Sequence, residues 1–313
     1  GQTVNLLSTN ERGKPMIQID GLTTRHSEGE MRMTTVSITR ADSRLSLAEA
    51  LVAHLRADHD VLQREAVYPP GRSPQQVDAD ESYMMDTSQR DAAVAALRAA
   101  GQPVAEMPMV NAVSAAGPAH GKLMPGDLIE KVDGQPVASL LDVGKAVRKH
   151  VVGDTVVFVV LRNSVAKTVA VTSVSSVSDR RAPAVGITID TGYRYSPTIT
   201  YSIPGDIVGP SAGLAMALSI YQMVAPNDLI GSLRIAGTGS ISPDGNVVAI
   251  GGIQEKVAGA ERDGAKIFLV PSGNCRDLSG VETSMRLVKV SSLKDAIAAI
   301  QKIRAGGTGV PHC

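Results

Sequence analysis

Ser211 lies in the run Gly209-Pro210-Ser211-Ala212-Gly213, and Lys256 ends the run Gly251-Gly252-Ile253-Gln254-Glu255-Lys256. A serine between glycines, placed where a strand-like segment gives way to a long apolar one, offers its hydroxyl at the start of a helix. Backbone N–H groups at that start converge on one spot and can hold an oxyanion, which acyl transfer requires. The run also satisfies G-x-S-x-G, the nucleophile elbow whose serine is served by a later histidine. After Ser211 the sequence has only His312, one residue from the end, while His26, His54, His59, His120 and His150 all come earlier. The elbow reading therefore fails on its base.

A serine can instead be activated by a neutral lysine. On a helix starting near Ile253, the residues Ile253, Val257 and Ala260 form an apolar face, with Lys256 at its edge and Glu255 and Arg262 turned away. An ammonium beside Gly252, Gly259 and Ala260 is poorly hydrated, and desolvation lowers a lysine pKa. Periodicity alone favours a surface lysine that lays its stem on the helix and keeps its charge in water.

Strands and helices alternate through 184–313, the segment that must hold both residues. Strands are expected at 184–189, 198–203, 233–236, 247–250 and 267–270, and helices at 211–224, 254–263 and 293–303. The uncharged stretch 207–225 is broken by Gly209 and Pro210 and stopped by Pro226, so it reads as a buried core helix and not a membrane span. Glycine-rich 237–245 lacks a lysine and a following helix, which makes it a strand–turn–strand hairpin and not a phosphate loop. Residues 104–174 read as a compact β-rich unit with strands at 104–113, 155–161 and 167–174 and a helix at 139–150. A Ser-rich linker follows at 173–183. Upstream, 31–39 is β-rich and 45–55 has helical spacing. The polar stretch 65–90 reads as a connecting loop into an Ala-rich helix at 91–100.

Composition sets the bounds. A chain of 313 residues fits two or three domains, and 31 basic against 31 acidic side chains give no pull toward nucleic acid or anionic membrane. Aromatics are 3% with no Trp, which argues against stacking platforms. Cys275 and Cys313 can form one bridge at most, and Cys275 has no histidine partner, so it reads as an unreactive thiol. His54 and His59 beside Asp58 and Asp60 lack a helical metal-ligand spacing and read as solvated surface. No cofactor and no metal are called for.

GPSAG followed by IAGTGSISPDGNVVAIGGIQEKVAGAERDGAKIFLVP resembles the proteolytic domain of the Lon peptidase family in order, spacing and glycine placement over roughly 184–305. The resemblance implies that Ser211 is the nucleophile and Lys256 its base. It also implies that Thr238 helps position the lysine, with Gly209 and Pro210 shaping the site. Two positions depart from the family pattern. The acidic residue before GPSAG is Val208 here, with Asp206 two residues earlier, and the acidic residue after the TG pair is Ser240. No G-x-x-x-x-G-K-[ST] occurs, so the ATPase engine of full-length Lon is absent from this sequence.

Residues 108–137, PMVNAVSAAGPAHGKLMPGDLIEKVDGQPV, resemble the PDZ domains of bacterial envelope proteases. Such domains take a peptide as an added strand beside a helix, here 139–150. Their carboxylate loop has a glycine between two apolar residues, where this chain offers Gly101-Gln102-Pro103-Val104, so capture of free C-termini and a purely structural role both stay open.

The fold class implied is α+β, a β-rich PDZ module plus a Lon-type α/β proteolytic domain. The domains read as an N-terminal segment of mixed structure at 1–100, PDZ at 101–178 and the proteolytic domain at 179–313. This order resembles the bacterial PDZ-containing Lon-like peptidases. The resemblance implies an ATP-independent endopeptidase acting on unfolded or envelope polypeptides outside the cytoplasmic membrane. It also implies an N-terminal membrane helix ahead of Gly1 and assembly of a homo-oligomer. A non-catalytic PDZ adaptor on a quiet domain is the alternative. A GHMP-kinase-like phosphotransferase lacks its acidic magnesium ligand and its longer Gly-Ser run here.

Overall fold

A computed structural model describes residues 1–39, 46–54, 65, 68, 71 and 73–313. They form two compact units, one of Gly1–Gln102 with Pro197–Cys313 and one of Pro103–Ser196. In chain order the first unit contributes β1 (Gln2–Asn5), β2 (Ile17–Asp20), β3 (Glu30–Thr35), α1 (Leu47–His54) and α2 (Pro74–Ala99). The second is β4 (Ala105–Val113), β5 (Leu128–Val132), β6 (Gln135–Pro136), α3 (Leu140–Arg148), β7 (Thr155–Arg162) and β8 (Val165–Thr172). It ends with β9 (Val174–Ser175), β10 (Pro183–Ala184) and β11 (Ile187–Arg194). The first unit then resumes with β12 (Thr198–Tyr201), a 3-10 turn (Pro210–Ala212), α4 (Gly213–Val224), β13 (Arg234–Gly237), β14 (Ser240–Ile241) and β15 (Val247–Val248). Its last elements are α5 (Ile253–Arg262), β16 (Ile267–Pro271), a 3-10 segment (Ser272–Leu278), β17 (Arg286–Val290) and α6 (Leu293–Arg304).

The first unit is built on a five-stranded sheet of order β1-β3-β13-β16-β17. Its β1–β3 edge is antiparallel and the rest parallel. Parallel strands are covered on both faces and read as continuous apolar runs, and all five residues of β16 are buried. One face packs on α5 through Ala236, Phe268 and Val270 against Ile253, Val257 and Ala260. Helix α4 is apolar nearly all round, with Gly213–Ile220 buried without a break, and α2 packs against it.

The second unit is an antiparallel sheet of order β11-β4-β5-β7-β8, with α3 packed on it and Val110, Ile129, Phe158 and Val171 at its core. Ser139 starts α3 with a reciprocal cap to Asp142, which satisfies the first orphan N–H groups of the helix.

Four expectations are corrected here. Residues 1–100 are not a separate segment, because β3 lies in the sheet beside β13, in register from Arg234 with Glu30 to Gly237 with Met33. The boundary drawn at 178 moves to 196, because β11 pairs along its length with β4. The stretch 65–90 is not all loop: from Pro74 it is the front of α2, begun by a Ser73–Gln76 capping box with Pro at the first turn. Asp58, His59 and Asp60 lie outside the described residues, and of His54 only its place in α1 is described. Cys275 is not a free thiol but is bridged to Cys313. No described helix is long and apolar enough to cross a membrane.

Candidate active site

The nucleophile loop is fixed from three sides. Gly209 precedes the 3-10 turn at φ +86, a left-handed conformation that glycine adopts without strain, and its N–H donates to Glu81 O of α2 at 3.2 Å. Ser88 Oγ of α2 donates to Pro210 O at 3.0 Å. Ser211 O accepts from Gly239 N at 2.9 Å and from Thr238 Oγ1 at 3.1 Å. Gly213 must be glycine, since a Cβ there would sit 2.9 Å from Ile241 N and 3.0 Å from Ser88 Oγ. Ser211 itself is half-buried at the head of the turn. Pro210 has no N–H, and the first N–H of a helical turn has no partner within it, so Ser211 N–H is a donor left for a ligand.

Lys256 approaches from α5. It is 2% exposed, and its Nζ donates to Thr238 Oγ1 at 3.2 Å. Thr238, fully buried just after β13, donates its own hydroxyl hydrogen bond to Ser211 O, so a chain of two hydrogen bonds runs from the lysine to the serine main chain. No hydrogen bond joins Ser211 Oγ directly to Lys256 Nζ among the described residues. Catalytic contacts are commonly long before substrate closes the site. Burial pulls the Lys256 pKa from 10.5 to about 8, and the weak pull of Glu255 in the other direction does not offset it. The surface-lysine alternative is thereby excluded. Where the sequence departs from the family pattern, Val208 and Asp206 are exposed and Ser240 sits in β14 opposite Val248.

Three supports were missed by sequence reasoning. Ser88 and Glu81 come from the stretch read as loop; the Ser73-Pro74-Gln75-Gln76 start signal was there to find. Asn274 brackets Ile250, accepting from its N–H at 2.9 Å and donating to its C=O at 2.8 Å, and so fixes the approach to Gly251 and Gly252 ahead of α5.

The second unit revises the peptide groove. Gly101-Gln102-Pro103-Val104 is not a carboxylate loop: Gly101 N and Gln102 N bond Arg98 O and Leu97 O, which is how α2 is capped. A glycine between two apolar residues occurs instead at Val185-Gly186-Ile187, at the head of β11. That strand is the edge of its sheet, and α3 packs beside it.

Residues 159–302 match the Lon protease (S16) C-terminal proteolytic domain, and residues 86–172 match the PDZ domain. The matched spans overlap at 159–172, where the fold assigns β7 and β8 to the second unit. Neither reaches before residue 86, although β1 and β3 complete the five-stranded sheet. The chain is similar to the Lon protease of Neorickettsia sennetsu, 37% identical over 93 residues, 28% of this chain and 11% of that protein. It is similar to Lon protease 1 of Sorangium cellulosum at 36% over 108 residues, 33% of this chain and 13% of that protein. The chain thus spans a small fraction of the length of these relatives. Among solved structures it is similar to the PDZ domain of an SdrC-like protein from Listeria innocua, 26% identical with TM-score 0.25. That likeness covers 26% of this chain and 92% of the other.

Proposed function

We propose, from the premise that this chain carries a Lon C-terminal proteolytic domain and a PDZ domain, that it is a serine endopeptidase working through a Ser211–Lys256 dyad. The observation that carries the reading is the lysine: a buried amine whose hydrogen bond goes to a hydroxyl, its pKa lowered by burial to about 8, joined through Thr238 to a half-exposed serine. Neutral Lys256 takes the Ser211 proton as Oγ attacks the scissile carbonyl. The carbonyl oxygen becomes an oxyanion against Ser211 N–H, and the protonated lysine then gives its proton to the leaving amine. Water repeats the sequence on the acyl-enzyme.

The substrates are unfolded or envelope polypeptides, cleaved without ATP, as the resemblance to PDZ-containing Lon-like peptidases implies. A peptide adds as a strand along the β11 edge next to α3, with its terminus toward Val185-Gly186-Ile187. The Cys275–Cys313 bridge supports an oxidising compartment outside the cytoplasmic membrane. Membrane anchoring through a helix ahead of Gly1 and homo-oligomerisation complete the proposal.

The test is reaction of the full chain with a fluorophosphonate, followed by peptide mass mapping. Labelling confined to Ser211, with loss of casein hydrolysis, is the expected result. Hydrolysis that survives full labelling, or a label elsewhere, overturns it.

A further inference from the structure

Helical serines ordinarily return their hydroxyl to the carbonyl four residues back. Ser82 does so to Asp78 O at 2.8 Å, and Ser219 does so to Ala215 O at 2.9 Å. Ser88 does not. Although 4% exposed in the middle of α2, it reaches out of its helix to Pro210 O at 3.0 Å. A buried polar side chain at a helix–helix contact costs stability unless its partner is specific. Here the partner is the carbonyl of the peptide unit whose N–H belongs to Ser211.

We infer that Ser88 is a positioning residue that aims the Ser211 N–H at the oxyanion. The inference rests on the peptidase reading above. The peptide between Pro210 and Ser211 is trans, so its C=O and N–H point in opposite directions across a rigid plane. Holding Pro210 O against α2 turns Ser211 N–H away from α2, toward the open side of the turn. Two turns earlier on the same face of α2, Glu81 O holds Gly209 N, so the chain entering that plane is tied to the same helix. The next plane is pinned in the same way, because Thr238 Oγ1 and Gly239 N both hold Ser211 O. Without Ser88, Pro210 O keeps only the 3-10 bond from Gly213 N, a strained geometry that leaves the plane free to tilt.

The experiment compares Ser88→Ala and Ser88→Cys with wild type in the full chain. Peptide hydrolysis gives kcat and KM, and hydrogen exchange is followed across 209–214 and 215–224. In Ser88→Ala, kcat is expected to fall about tenfold with KM within about threefold, since a misaimed oxyanion donor weakens the transition state more than the ground state. Exchange at 209–214 should speed up while 215–224 keeps its protection, and the weak thiol donor of Ser88→Cys should recover part of both. Unchanged kcat together with unchanged exchange in 209–214 overturns the inference. So does a loss of protection spread evenly over α4, which would mean that Ser88 only packs the helices. A wild-type chain that neither hydrolyses peptide nor labels at Ser211 removes the peptidase reading. The exchange arm still reports whether Ser88 holds the loop.

Discussion

Arg162 of β7, half-buried, and Lys256 of α5, buried, lie one in each unit and are satisfied in opposite ways. Arg162 meets Asp127, which is 1% exposed, through two bonds of 2.7 Å, and a third bond of 2.8 Å goes to Lys122 O. Asp127 in turn accepts from Met124 N at 2.9 Å. The hydrogen bond to Asp127 raises the arginine pKa, so that charge is permanent. Lys256 has a threonine hydroxyl where Arg162 has a carboxylate, and burial lowers its pKa to about 8. A cation clamped on a buried carboxylate holds a fold together. A buried cation without one is ready to lose its proton, which is what a general base must do.

The largest effects follow from removing the second kind. Ser211→Ala and Lys256→Arg should each lower kcat/KM on an unfolded substrate by at least about three orders of magnitude. Arginine keeps the charge and cannot lose its proton in this range. Wild-type kcat/KM should rise through about pH 8 and fall away below it, because only the neutral lysine accepts the serine proton. Substantial turnover by Lys256→Arg with the wild-type pH profile would make Lys256 a structural cation like Arg162.

The converse change attacks the paired cation. Asp127→Ala removes both carboxylate bonds of the half-buried Arg162 and should destabilise the second unit by about 1.5–3 kcal/mol, the usual worth of hydrogen bonds to a charged group. Labelling of Ser211 by a small fluorophosphonate should stay at the wild-type rate, because the residues of the dyad belong to the other unit. Urea unfolding followed by hydrogen exchange over 103–196 measures the first effect. A loss of labelling in step with it would break the separation between the two kinds of site.

A third change turns on stability and pH. A lysine with a folded pKa of about 8 against 10.5 ordinarily carries a penalty of about 3 kcal/mol when both states are protonated. The unfolded chain binds the proton more tightly, so the penalty is complete below pH 8, shrinks as pH rises toward 10.5, and is absent above. Lys256→Met should therefore be inactive yet more stable than wild type by up to about 3 kcal/mol at pH 6, the gap narrowing by pH 9.5. Equal stability at both pH values would show that the wild-type lysine is not held uncompensated.

The two regions also differ in how readily the sequence discloses them. GPSAG and GGIQEK are legible because glycines and a lone Ser and Lys mark backbone and chemistry locally, and α4, α5 and α6 follow from apolar periodicity. The strand β3 could be seen in Met31-Arg32-Met33, but its partner β13 begins some two hundred residues later, and no local pattern names a partner. Helix α2 was hidden by composition: its first half is polar because, among the described side chains, only Met85 and Ser88 turn fully inward before the buried run of Ala92–Leu97. The boundary at 196 was missed because β11 belongs to a sheet whose other strands end before the linker. Ser88 was unreadable for a simpler reason. One serine among polar neighbours has no signature until the carbonyl it holds is known.

The smallest expected effect tests the join between Thr238 and the lysine, and its sign distinguishes positioning from packing. Thr238→Val keeps the shape of a fully buried side chain and deletes the hydroxyl that accepts from Lys256 Nζ and donates to Ser211 O. Ser211 O retains Gly239 N, so the loop keeps one of its two bonds. The ammonium loses an acceptor that favours its charged form, so its pKa falls further, and the rising limb of the pH profile moves to lower pH. Plateau kcat should drop about tenfold, because a lysine without that bond samples more than one rotamer. A Thr238→Ser variant, which restores the hydroxyl, should return the limb to its wild-type place. A limb that stays fixed in Thr238→Val while the plateau falls would assign Thr238 to packing alone, leaving burial as the sole control on Lys256.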